Sequence, residues 1–385
     1  MERLYLDTAA TTPVRREVLE AMWPYLAGGV EGEFGNPSSH HELGERAAHA
    51  VQAARAIIAE QLGCRPSEVV FTSGGTEADN LAVKGLALGD IRGRHLITTP
   101  IEHEAVRESA DYLRRLHGFE ITVLEVDDAG LIAPEVLEAA LRPHTTLISI
   151  QHANNEIGTV QPIAELAVIA RAAGVPIHTD AVQSAGALDV GISGLGVDAV
   201  SIAGHKLGAP KGVGALAVRG ALPLEPLMHG GGQERGRRSG TENVAGIVGL
   251  ATALALAAVE RPQSARVAAA RDVIIDGVLA RVPGALLTGS RDARLASHAS
   301  FCFPGTSGEA VLLELERRGV VCSSGSACAA GSDEPSPVLL AIGIPPEVAQ
   351  TAVRFTLPRD ITPGQAEDVV ERVVSAVSAV GSLGG

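Results

Sequence analysis

The chain has 385 residues, of which 46% are hydrophobic, and carries a formal net charge of −14 at pH 7. That length accommodates two or three domains with an ample core, and dispersed glycine and proline exclude a disordered or fibrous chain. The acidic balance excludes a nucleic-acid-binding surface, which needs a basic face, though not a handoff to an enzyme that modifies nucleic acid.

In chain order, Leu4-Tyr5-Leu6-Asp7 reads as a short strand with no basic-then-apolar leader before it. No export is expected, and a cytoplasmic location follows. From about residue 50 to 220, short β-branched runs alternate with longer helical patterns. The predicted strands are Glu68–Thr72, His95–Thr99, Glu120–Val126, Thr145–His152, Pro176–Thr179, Asp198–Ala203 and Ala215–Val218. Between them lie helical segments such as Glu77–Leu88, Glu104–Leu116, Pro134–Leu141 and Ile163–Ala173. This alternation predicts an α/β fold: a mainly parallel seven-stranded sheet covered on both faces. Ligands of such sheets sit beyond the carboxyl ends of the strands.

The apolar run Gly246 to Val259 is too short and Ala-rich to span a bilayer, so a packed core helix and no membrane contact are predicted. Beyond it a long helix is expected over Arg261–Arg281. Strand-like pieces then follow at Leu286–Thr288, Ala299–Phe303 and Val320–Cys322, mixed with helices at Glu309–Arg318 and Gln365–Val380. The implied division is a large domain over 14–260 and a smaller α+β domain from 1–13 and 261–385.

Several residues fall on the strand-end rim. Ser73-Gly74-Gly75-Thr76 follows the first strand and opens a helix: either a phosphate cradle, with glycines admitting a ligand to backbone N–H groups, or a turn with Thr76 as N-cap. Asp180 ends an apolar strand, where a buried carboxylate wants a cationic partner; a helix cap is the plainer alternative. Lys206, in Ala203-Gly204-His205-Lys206, is placed to form a Schiff base with an aldehyde cofactor, or is simply solvated. His103 is either a proton shuttle lying against an aromatic ligand or a capping residue. Cys328 sits among small residues in Cys322-Ser323-Ser324-Gly325-Ser326-Ala327-Cys328, a stretch too poor in bulk to pack tightly, so an accessible, reactive thiol is predicted. Cys64, Cys302 and Cys322 read as small hydrophobes. Four cysteines are too few for a disulfide framework. His40 and His41 lack a nearby third ligand, so no metal is predicted.

Taken together, Asn154-Asn155-Glu156-Ile157-Gly158, Asp180 with Gln183, Gly204-His205-Lys206, His229 through Gly236 leading to Arg238-Ser239-Gly240-Thr241, and Ser323 through Cys328 resemble the NifS/IscS-type cysteine desulfurases. These are class V aminotransferase-fold enzymes (fold type I) that use pyridoxal 5'-phosphate (PLP). The resemblance runs from Leu6-Asp7-Thr8-Ala9-Ala10-Thr11-Thr12-Pro13 to Arg354-Phe355-Thr356-Leu357.

It implies that Lys206 carries PLP and acts as general base on L-cysteine, and that Asp180 keeps the ring nitrogen protonated. It further implies that His103 stacks on the ring as a candidate acid/base, that Gln183 and Asn155 attend the ring oxygen, and that Gly75, Thr76 and His205 hold the phosphate. Thr241 would join them from the neighbouring subunit of a homodimer, with Arg235, Arg237 and Arg238 at that interface rather than merely solvated. Arg354 would grip the substrate carboxylate bidentately, near Asn155 and with Asn36 as a further candidate. Cys328 would take the sulfur as a persulfide and pass it to an acceptor such as an iron–sulfur scaffold or a thiolation enzyme, leaving L-alanine. Two features depart from the usual family pattern. Ala203 stands where the family usually has Ser, removing one hydroxyl contact to the phosphate, and the short tail after the last helix, with Ser239 to Asn243, is closer to the NifS-like branch. The competing readings are a selenocysteine lyase, another class V PLP enzyme such as an aminotransferase, and a non-catalytic sulfur-relay scaffold.

Overall fold

The computed structural model describes residues 3–27, 32–89, 92–325 and 334–382. After a short first strand, β1 (Leu4–Tyr5), the central sheet takes β2 (Val69–Thr72), β3 (His95–Thr98), β4 (Glu120–Val123), β5 (Thr145–Ser149), β6 (Ile177–Asp180), β7 (Ala199–Ala203) and β8 (Gly214–Val218). The spatial order is β2-β8-β7-β6-β5-β3-β4. Strands β3 to β7 pair in parallel, and β8 runs antiparallel between β7 and β2. Because β8 reverses twice, β2 points the same way as β3 to β7, and their carboxyl ends share one edge.

The strands are near-continuous apolar runs because both faces are covered. Alternate residues feed two cores. Val70, Leu96, Leu147 and Leu216 face α3 (Gly75–Gly89) and α4 (Glu104–His117). Val69, Phe71, Ile97, Ile148 and Val200 join the core that holds α1 (Arg16–Leu26), α2 (Glu42–Gln61) and the helix Val244–Glu260. That last helix is apolar almost all round because it is packed: Ile247, Leu250 and Leu254 are buried. The Val244–Arg281 run is long and apolar enough to cross a membrane by length and composition, but its apolar half fills this core.

Two predicted strands end three residues early, β4 at Val123 and β5 at Ser149. The backbone beyond β5 nevertheless keeps bonding to β6, with Ile150 N–H on the His178 carbonyl and His152 N–H on that of Asp180. The helix predicted over Arg261–Arg281 starts as a 3-10 turn, Arg261–Gln263, where Pro262 has no N–H for an α-helical bond, and becomes α-helical at Ser264–Arg281.

A second, smaller sheet has its own core. In it β10 (His298–Cys302) lies between β9 (Leu286–Leu287) and β12 (Ala352–Thr356), all antiparallel; beside it, β1 and β11 (Val320–Val321) form a separate parallel pair. Phe301, Val353, Phe355 and Leu6 pack there against the helices Ser264–Arg281 and Pro363–Gly381. Leu6 and the residues after it carry the N-terminal strap between this core and the central sheet.

The long connection from β8 to the helix Val244–Glu260 is pinned by a buried ion pair. Arg55 donates to both Glu234 carboxylate oxygens, at 2.6 and 2.8 Å, and Glu234 also accepts from Phe71 N–H. These bonds hold Glu234 and Arg235 at φ 48° and 59°, a left-handed conformation that non-glycine residues rarely adopt. Glu234→Ala would strand the Arg55 charge inside the protein. We expect it to lower unfolding free energy by about 3–5 kcal/mol, measurable by denaturant titration.

Candidate active site

The strand-end edge gathers the predicted residues. Thr72 closes β2, and Ser73 to Gly75 turn the chain into α3, so that the first N–H groups of that helix point off the edge. Space for this turn comes from the neighbouring strand: a Cβ at Gly214 would lie 2.7 Å from the Gly74 carbonyl carbon. Gly75 is also required, since a Cβ there would lie 2.7 Å from Val182 Cγ2 and 3.3 Å from Ala203 Cβ. Glu77 steadies the turn, accepting from Ser73 N–H at 2.7 Å and pairing with Arg238 at 2.9 Å. Thr76 is exposed beside it.

His103 caps α4 through Nδ1, which accepts from Ala105 N–H at 3.1 Å. The capping alternative is therefore real, and it fixes the ring while leaving Nε2 uncommitted to the cap. Asp180, at the end of β6, is buried; its Oδ1 accepts from Val182 N–H at 2.8 Å. Burial raises its carboxyl above the ordinary range, and His103, the Val182 N–H and the Lys206 charge oppose that rise only in part. All three side chains thus act within one electrostatic site.

Lys206 follows β7 directly. Its Nζ donates to the carbonyls of Ala9 and, at 2.8 Å, Ala10. Gln183 Nε2 donates to the same Ala9 carbonyl at 3.1 Å, and His205 Nδ1 lies 3.2 Å from Thr11 Oγ1. Burial and the Lys206 charge push His205 down to about 4, so its ring is neutral at pH 7. A cavity of about 500 Å³ opens between the two cores, with Lys206, Gln183, Thr8 and His298 in its wall.

Behind Asp180 lies a polar seam that sequence reading did not single out. Asp79 on α3 is buried, with Oδ1 unpartnered and 3.8 Å from His178 Nε2. His178 is hydrogen-bonded to Ser149 and Ser201, each at 2.9 Å. Burial first, then the Asp180 charge, raises the Asp79 carboxyl well above its usual range. Burial lowers His178 to about 3. Asp79 is therefore the neutral member of the carboxyl pair and His178 an uncharged spacer. Glu102, next to His103, is raised to about 8, chiefly by burial, and accepts from Gln151 N–H and Thr99. The signal for Asp79 was present in the sequence, since it shares a helical face with Ala82, Val83 and Leu86.

Arg354 on β12 is 1% exposed, and its guanidinium is already engaged. Nη1 donates to the carbonyls of Asn155 at 2.8 Å and Gly325 at 3.0 Å, and Nη2 to Asp7 Oδ1 at 2.7 Å. The free fork expected from sequence is therefore tied on three sides, with Nε left without a partner among the described residues. Asn155 stands beside Arg354, as expected. Asn36 does not join this cluster: it is exposed, and its Oδ1 accepts from Ser38 N–H in a local turn. Thr241 is exposed on the chain's surface. Cys328 lies outside the described residues. The other three cysteines suit packing rather than reaction, because burial raises Cys64 and Cys302 to about 11 and Cys322 higher still.

This edge of loops, with a lysine, a buried carboxylate and a helix N-terminus, is the arrangement of an enzyme of the aminotransferase type. The Aminotransferase class-V family model matches residues 4–369, and the chain belongs to that family. It is 46% identical over 382 residues to cysteine desulfurase IscS of Dictyoglomus turgidum, covering 98% of this chain and 96% of that protein. It is 44% identical to cysteine desulfurase IscS of Methanosarcina thermophila, covering 99% and 93%. Among solved structures, a NifS-like protein superposes with a TM-score of 0.90 at 36% identity, covering 98% of this chain and all of that one.

The buried acids give a pH signature. A carboxyl raised to about 8 in the folded protein, against about 4.3 unfolded, contributes stability that is complete below the unfolded value. That contribution is lost as pH rises through the folded value. Relative to Glu102→Gln, the wild type should therefore lose stability as pH rises from about 4.3 to about 8. Thermal melts of both proteins across that range measure the difference.

Proposed function

We propose that the protein is a PLP-dependent cysteine desulfurase, converting L-cysteine to L-alanine and holding the released sulfur as a persulfide on Cys328. The observation that carries the reading is Asp180: a carboxylate buried at a ligand-binding sheet edge and electrostatically joined to Lys206 and His103. Such a group is costly unless a cation meets it, and a protonated pyridine nitrogen is a cation of suitable shape. The glycine turn before α3 suits the phosphate of the same molecule, because it opens a helix whose first N–H groups are unpaired, and Gly75 lets that turn pack against Val182 and Ala203 without a side chain. Ala203 removes a hydroxyl from that edge but leaves the helix N-terminus, Thr76 and neutral His205 as donors. Whole-length likeness to cysteine desulfurases supports the same activity.

Bound there, PLP supplies the electron sink that makes the substrate's Cα proton removable and its carbon–sulfur bond cleavable. Asp180 holds the proton on the ring nitrogen. His103 lies against the ring, fixed by its cap to α4, and Gln183 and Asn155 attend the ring oxygen. Lys206 anchors the cofactor, then takes the Cα proton as general base. Arg354 and Asn155 orient the substrate carboxylate. The Cys328 thiolate attacks the substrate sulfur: a sulfur–sulfur bond forms, the carbon–sulfur pair goes to the carbon skeleton, and that skeleton takes a proton at Cβ, regains the Cα proton from Lys206 and leaves as alanine.

We also read the chain as two domains, 14–260 and 1–13 with 261–385, on the strength of their separate cores. It would work as a homodimer in the cytoplasm, with Thr241 completing the partner's phosphate site and a sulfur-acceptor protein receiving the persulfide. Incubation with PLP, L-cysteine and a reductant should yield alanine and sulfide in equal amounts. Lys206→Ala should yield neither, and Cys328→Ala no sulfide. Sulfide at the wild-type rate from Cys328→Ala would refute the nucleophile, and strict dependence on selenocysteine would favour the lyase.

A further inference from the structure

Asp7 has no role in the reading above, yet it is the carboxylate that meets the most buried cation of the site. The Arg354 side chain is 1% exposed, and its ion pair is with Asp7, at 2.7 Å. A guanidinium taken out of water needs a compensating charge and a full set of acceptors. Another buried carboxyl that feels this charge, Glu156, is pushed up by burial and hydrogen-bonded by Ser336 at 2.6 Å. The carboxylate in ion-pair contact with the guanidinium is Asp7. Its position is set by the strap: β1 lies along β11, Asp7 bridges to Thr356, and Tyr5 Oη donates to the carbonyls of Asp7 and Thr11.

The donor count shows what this contact does. A guanidinium has five N–H bonds. Nη1 spends both of its hydrogens on Asn155 and Gly325, and Nη2 spends one on Asp7. Nε–H, which is buried and without a partner among the described residues, and the second Nη2 hydrogen remain. Nε and Nη2 share one edge of the guanidinium, the edge that takes a carboxylate bidentately, and Asp7 holds that edge by its Nη2 end.

We propose that Asp7 is a positioning residue for substrate recognition, clamping Arg354 so that its Nε–Nη2 edge is presented to an α-carboxylate. This inference rests on the reading of Arg354 as the carboxylate-binding residue. Asp7 acts through the guanidinium and takes no part in proton or sulfur transfer.

The test uses the PLP-loaded enzyme and a double-mutant cycle of Asp7→Asn and Arg354→Gln. Two quantities are read: KM and kcat for L-cysteine, and the L-alanine dissociation constant from the absorbance change of the bound cofactor. Asp7→Asn should raise KM and the alanine constant by about tenfold or more while changing kcat by less than about threefold, the mark of lost ground-state binding. In the Arg354→Gln background the same substitution should add nothing. A KM unchanged or lowered by Asp7→Asn, or an undiminished effect in that background, overturns the proposal. If Arg354→Gln itself leaves both constants unchanged, the reading of Arg354 fails first and the role of Asp7 with it. Asp7→Glu keeps the charge and serves if Asp7→Asn does not fold. Its longer arm should raise KM by about threefold at constant kcat, and an unchanged KM would overturn the proposal.

Discussion

Burying the Asp180 carboxylate at the end of β6 is the constraint on which the rest of the site depends. A charge in that position is stable only if the fold brings positive groups to it or leaves room for a ligand that carries one. The architecture does the first with His103 and Lys206, which arrive from the ends of two other strands. Behind it, the fold avoids a second buried negative charge by keeping Asp79 neutral, with uncharged His178 and Ser201 beside it. The polar seam thus leaves Asp180 as the group that answers to the ligand.

The N-terminal strap ties this centre to the smaller core. Carbonyls of Ala9 and Ala10 receive the Lys206 ammonium, Ala9 also receives Gln183, Thr11 meets His205, and Asp7 meets Arg354. A few consecutive residues therefore touch Lys206, Gln183, His205 and Arg354. Because the strap is itself paired with β11 and β12, the smaller core and the central sheet hold one common site.

Much of this was legible from the sequence because parallel strands are buried on both faces. In an apolar run, a polar residue such as Asp180, or a Gly-His-Lys following Ala203, marks the strand's end, and strand ends share one edge. The order of strands and helices was readable for the same reason, and their limits shifted by a few residues, as at the ends of β4 and β5 and at the 3-10 turn Arg261–Gln263. What could not be read is contact between segments far apart in the chain. Arg354 was singled out through resemblance alone, and its ties to Asp7, Asn155 and Gly325 come from three separate segments. Asn36 shows the converse, since a motif residue can spend its side chain on its own turn. Asp79 lies between these cases, with a helical periodicity that placed it inward and no sequence signal for why.

In the proposed site one lysine, Lys206, and one carboxylate, Asp180, flank a single cofactor ring. The chain has only three lysines, Lys84, Lys206 and Lys211, so the arrangement is directly measurable. Borohydride reduction of the PLP-loaded protein, followed by peptide mass mapping, should place the pyridoxyl adduct on Lys206. An adduct on Lys84 or Lys211, or none at all, would contradict it.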